Sequence, residues 1–130
     1  MKFVWLIENR VLLIRFDQSI SVRDAIDVNQ TLITYLENAD ETMSVIIMAD
    51  QVEEFPTDIS QISRLVTFLK HPNLAWNITV TNNPVYRFIV RVLYRIMGKH
   101  TIRFANDYEM AIQILQELDE QLPALPESVD

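Results

Sequence analysis

Two short apolar runs open the chain, residues 3–7 (FVWLI) and 11–16 (VLLIRF), split by Glu8-Asn9-Arg10. Runs of that length and β-branched, aromatic character, separated by a turn-forming Asn, predict a β-hairpin. The period then changes. Ala25, Val28, Leu32, Tyr35 and Leu36 recur at three- and four-residue steps, which puts them on one face of a helix that ends near Asn38-Ala39. Ser21 is a suitable N-cap, with Asp24 at the third helical position as its acidic partner. Residues 43–49 (MSVIIMA) form a continuous apolar run, the signature of a strand buried on both faces in a parallel sheet. Thr57 is placed to cap a second helix over 58–70, with Ile59, Ile62, Leu65, Val66 and Leu69 as its stripe and His71-Pro72-Asn73 as its stop. Residues 74–80 (LAWNITV) alternate like a strand. Pro84 opens a third helix over 84–97, and Gly98 closes it in a left-handed cap. Residues 101–105 read as a short strand, and Asn106 as the cap of a fourth helix over 107–121. The tail 122–130 carries two prolines and no period, and is expected to fray.

The predicted order is β-β-α-β-α-β-α-β-α. A hairpin followed by alternating strands and helices implies one α/β domain over 1–121, with a single mixed, mostly parallel sheet covered by helices.

Charge changes this picture most. Residues 59–106 contain no Asp or Glu but hold seven of the eleven basic residues: Arg64, Lys70, Arg87, Arg91, Arg95, Lys99 and Arg103. The remainder has four basic and eighteen acidic residues, so a segment of +7 sits in a chain of net −7. Two readings are open. The segment presents a basic face to an acidic protein or anionic lipid, or its charges answer acids that folding brings beside them. The net negative charge argues against a general nucleic-acid binder, because phosphate contacts need cations. The chain has no Cys, which excludes disulfides, thiolate nucleophiles and Cys-ligated zinc. Its single glycine, Gly98, is too few for a phosphate-cradling or dinucleotide-binding loop. No apolar run reaches the ~18 residues of a membrane span, and Glu8 and Arg10 interrupt any signal-peptide core, so a soluble, cytoplasmic protein without cofactor is expected.

Candidate chemistry is sparse. Asp50, Glu53, Glu54 and Asp58 gather four carboxylates in nine residues but lack the alternating ligands and glycine of a calcium loop, so a solvated acidic loop is expected. His71 and His100 each fall near a helix C-terminus, where a cation is favourable. No serine sits in a nucleophile elbow, and no catalytic motif appears. Helix 84–97 is the unusual element. Arg87, Arg91 and Arg95 recur every four residues as one basic stripe that Lys99 extends, with Tyr94 beside it. The apolar arc around them is about twice the ~100° that one core-facing stripe requires. The surplus meets a neighbouring helix, a second subunit in a homodimer, a membrane surface or an apolar ligand.

Three stretches resemble the STAS domain, the fold of anti-sigma-factor antagonists. VLLIRF (11–16) with the helix that follows is similar to the family's second strand and first helix; SVIIMADQVEEFPTDIS (44–60) is similar to the strand entering its regulatory loop; and NNPVYRFIVRVLYRIMGKHTIRFANDYEMAIQIL (82–115) is similar to its last helix-strand-helix unit. The resemblance implies a non-catalytic regulatory domain that binds a protein partner around 50–60 and helix 84–97, with Asp50, Asp58, Arg87, Arg91, Tyr94 and Arg95 at the interface. The family's switch places a phosphorylated serine after an aspartate at the start of the second helix. Asp58 stands where that aspartate would, but Ile59 stands in place of the serine, so a phospho-switch would have to use Thr57 or Ser60. The alternative is a lipid- or apolar-ligand-associating domain that uses the basic amphipathic helix.

Overall fold

The computed structural model describes residues 1–129. Its five strands form one sheet in chain order: β1 (Lys2–Ile7), β2 (Val11–Arg15), β3 (Met43–Met48), β4 (Leu74–Val80) and β5 (Ile102–Ala105). β1 runs antiparallel to β2, and β2 to β5 are parallel. The expected mixed α/β sheet and element order are therefore present. The hairpin turns through Asn9 at φ 63°, a left-handed conformation that Asn tolerates better than most residues.

Four helices cover the sheet: α1 (Val22–Asn38), α2 (Ile59–Leu65), α3 (Pro84–Met97) and α4 (Tyr108–Leu118). Each of the first three joins a strand to its parallel neighbour on the same side. Right-handed crossovers then stack α1, α2 and α3 on one face. α4 follows the last strand and folds back onto the other. The pleat divides the core accordingly. Leu12, Ile14, Val45 and Ile47 face the three-helix layer, while Val11, Leu13, Ile46 and Met48 face α4. Every residue of β3 is buried, as its unbroken apolar run predicts.

The local chemistry of the helix ends follows the sequence in most places. Ser21 and Asp24 form the capping box of α1, with reciprocal bonds of 3.0 and 2.9 Å. Pro84 opens α3, and Gly98 closes it at φ 70°, its N–H and that of Lys99 returning to the Arg95 and Tyr94 carbonyls.

Three boundaries differ from expectation. The helix over 58–70 is two pieces, α2 and a 3-10 turn at Thr67–Lys70, broken at Val66. Asn29 of α1 is the cause. Its Oδ1 accepts the Phe68 N–H at 2.7 Å and its Nδ2 donates to the Thr67 hydroxyl at 3.0 Å, which draws the chain out of the α-helical ladder. The cap of α2 is Asp58, whose carboxylate accepts the Gln61 N–H at 3.1 Å, and not Thr57. Asp107, and not Asn106, caps α4 at 2.8 Å, and α4 ends at Leu118. In both cases a carboxylate occupies the positive end of the helix, where its charge is favoured over a neutral cap.

The tail also departs from the frayed segment expected over 122–130. Leu125 is 6% exposed and joins the core between the sheet and α4, and Leu122 and Val129 pack against it. The Tyr108 hydroxyl donates to the Pro126 carbonyl at 2.7 Å, and Arg15 donates to the Val129 carbonyl at 3.4 Å. Asp130 lies outside the described residues. One helix is too narrow to cover a five-stranded face, and the tail supplies the missing apolar side chains. Leu125→Ala should therefore cost about 2 kcal/mol in urea unfolding; a tail that contributed nothing would leave the midpoint unchanged.

Candidate functional site

Because β2 to β5 are parallel, the loops leaving them gather at one edge of the sheet with the N-termini of all four helices. This edge collects Asp50, Thr57, Asp58 and Ser60. Asp50 is exposed and accepts a 3.3 Å bond from the Gln51 amide. Asp58 is exposed, with one oxygen engaged as the α2 cap. Thr57 and Ser60 are both exposed, one on each side of the cap and first helical residue. The loop is tied down by backbone bonds: Ile20 N–H to Glu54 O at 2.8 Å and Glu53 N–H to Gln18 O at 2.7 Å. Among the described residues, no group of three or more His, Asp or Glu is placed to hold a metal ion. No helix of the described residues is long and apolar enough to cross a membrane.

The second feature is α3. Its inner side carries Ile89, Leu93 and Tyr94, all buried against the sheet and α2. Its outer side leaves Val85 53%, Phe88 59% and Ile96 56% exposed. Phe88 lies three residues and Ile96 eleven residues beyond Val85, steps that keep all three on one side of the helix as one apolar stripe. The surplus apolar arc thus meets no neighbouring helix of the chain.

The three arginines beside that stripe differ from one another. Arg87 is structural: its Nε and Nη2 donate to the Thr81 carbonyl at 2.9 and 2.6 Å, and Nη2 reaches Asn106 Oδ1 at 3.1 Å. Arg91 is exposed, with its guanidinium 4.9 Å from the centre of the Phe104 ring. Arg95 is exposed and makes no hydrogen bond or ion pair within the described residues. Lys99 does not extend the stripe; its Nζ donates to the His71 carbonyl at 2.9 Å, and partial burial lowers its pKa. Ion pairs among the described residues involve the N-terminus, Arg10 and Arg23, and none of the seven cations in 59–106. Among the described residues, no carboxylate comes within ion-pair distance of these seven cations.

Tyr94 was expected beside the arginines on the surface. It is instead 2% exposed and points into the core, because position 94 lies on the flank of α3 that faces the sheet. Its hydroxyl has no hydrogen-bond partner. The strand below it is polar on this face. Asn77, Thr79 and Thr81 alternate along and just beyond β4 and are all buried, with the Thr79 hydroxyl donating to Asn77 Oδ1 at 2.8 Å. The sequence reading missed this polar row. Its signal was present in LAWNITVT, where Asn and Thr occupy every second position of a strand between apolar neighbours.

No protein-family model matches the chain, and no curated protein matches it. The geometry offers an exposed apolar and cationic helix face.

Burial raises the pKa of both Tyr94 and Tyr86; Asn77 pulls Tyr94 the other way, and burial outweighs it. A raised folded-state value contributes stability that is intact below the ordinary tyrosine pKa of about 10 and is lost as pH rises above it. Lys99, shifted downward, acts in the opposite sense, but it is less buried than the two tyrosines. Urea unfolding should therefore show stability falling between about pH 10 and 12, with a shallower fall in Tyr94→Phe. An identical slope in the two proteins would show that Tyr94 ionises as freely in the folded chain as in the unfolded one.

Proposed function

We propose that the protein is a non-catalytic, STAS-like interaction domain that docks an acidic protein segment on the outer face of α3. The observation that carries this reading is the Val85-Phe88-Ile96 stripe, more than half exposed, beside Arg91 and Arg95, which form no ion pair among the described residues. Exposed apolar side chains supply contact area, and adjacent unpaired cations supply orientation and rate. Arg87 belongs to this site as the anchor that holds the first turn of α3 to the β4 and β5 ends.

Charge geometry favours a protein partner over a lipid surface. An anionic membrane is an extended plane and meets every charge on the facing side of a chain whose net charge is −7. A compact acidic segment meets only charges within a Debye length, about 8 Å at physiological salt. Self-association through this face is disfavoured, since a two-fold pairing of the same patch would set Arg91 and Arg95 against their own copies. The edge bearing Asp50, Asp58, Thr57 and Ser60 adjoins the start of α3 and would border the docked partner. The reading fits a cytoplasmic regulatory module without cofactor.

Selection from a displayed library of random peptides tests this. The enriched peptides should combine Asp or Glu with large apolar residues, and their binding should weaken with added salt. Arg91→Gln with Arg95→Gln should reduce affinity roughly tenfold and flatten the salt dependence. Sedimentation with phosphatidylserine vesicles and not with peptides would replace this partner by a membrane, and a concentration-dependent dimer lost in Phe88→Ser would replace it by a second copy.

A further inference from the structure

Between the three-helix layer and the sheet lies a cavity of about 120 Å³. Its walls are apolar, formed by Phe16, Val28, Ile62 and Leu93 among others, and no charged residue lines it. Its polar groups are Asn77 and Thr79 of β4 and the Tyr86 and Tyr94 side chains of α3. Ile20, Phe55 and Pro56 line both this cavity and a surface hollow beside it. The Phe55 ring meets Tyr86 edge-on at 5.2 Å at this side.

Two observations point the same way. Protein interiors of this size are normally filled, and voids able to take a molecule are few. Buried hydroxyls are normally hydrogen-bonded, and Tyr94, at 2% exposure, lines the cavity with its hydroxyl near Asn77 but in bonding geometry with no polar group of the described residues. The Thr79 hydroxyl donates to Asn77 and makes no bond to the Tyr94 hydroxyl. We infer that this cavity binds a small uncharged molecule, apolar over most of its surface and carrying one oxygen that accepts the Tyr94 hydroxyl proton.

Size and electrostatics define the class. At about 120 Å³ the space is somewhat smaller than the roughly 150 Å³ apolar cavity that admits benzene, so a single small ring or a short branched chain is the upper limit of size. A charged ligand would lose its hydration against walls that hold no counter-ion. Burial keeps Tyr94 protonated, so its O–H is available to donate to a ligand oxygen. The site is on the opposite side of α3 from the docking stripe and stands independently of it.

Fluorine NMR with para-fluorophenol and fluorobenzene as probes tests the site. The wild-type protein should bind both, with the phenol tighter by roughly three- to tenfold, the worth of one net hydrogen bond. Tyr94→Phe keeps the ring and removes only an unsatisfied hydroxyl, so it should fold, bind fluorobenzene as before and lose the preference for the phenol. Ala25→Phe, which projects into the cavity, should abolish binding of both probes while its proton spectrum stays folded. Failure of both probes to bind the wild-type protein would overturn the site. A phenol preference that is absent, or that survives in Tyr94→Phe, would overturn the role of Tyr94, and binding retained in folded Ala25→Phe would overturn the location.

Discussion

β3 is sealed on both faces, and this requirement shapes the rest of the molecule. A strand with every residue buried must lie inside the sheet and be covered above and below. Strands β2 and β4 flank it in parallel. Parallel neighbours need crossovers, and three right-handed crossovers stepping in one direction place three helices on the same face. The opposite face is left to α4 alone, so the chain returns with Leu122, Leu125 and Val129 to finish the cover.

The same stacking explains why α3 has a surplus face. It is the last helix in its layer, next to α2 and above the edge strand β5. Its inner side joins the core with Ile89, Leu93 and Tyr94. No fourth helix follows on that face, so Val85, Phe88 and Ile96 remain in solvent. The cations around them come from a segment without acids, and among the described residues none of them forms an ion pair. A helix with two apolar sides in a three-helix layer can satisfy only one of them internally.

Strands were legible because burial dictates their residues directly. MSVIIMA could only be a doubly covered strand, and the Pro84 and Gly98 frame of α3 reflects backbone constraints that hold in any tertiary setting. Features that depend on distant partners were not. The break at Val66 arises from Asn29 on another helix. The docking of Leu125 depends on how much of the sheet α4 leaves open. Tyr94 was misplaced because α3 is apolar around most of its circumference, and periodicity alone does not say which arc meets the sheet. The alternation of Asn77, Thr79 and Thr81 held the missing information, since a polar row under a helix layer invites a polar group from above.

The central claim is that the outer stripe of α3 has no part in holding the fold together. Urea unfolding of a variant combining Phe88→Ser and Arg95→Gln, beside Arg87→Gln, measures this most directly. The expected result is a combined variant within about 0.5 kcal/mol of wild type, while Arg87→Gln loses roughly 1–2 kcal/mol with its bonds to Thr81 and Asn106. A loss of about 2 kcal/mol or more from the combined variant would contradict the claim, because those side chains would then belong to the fold and not to a partner.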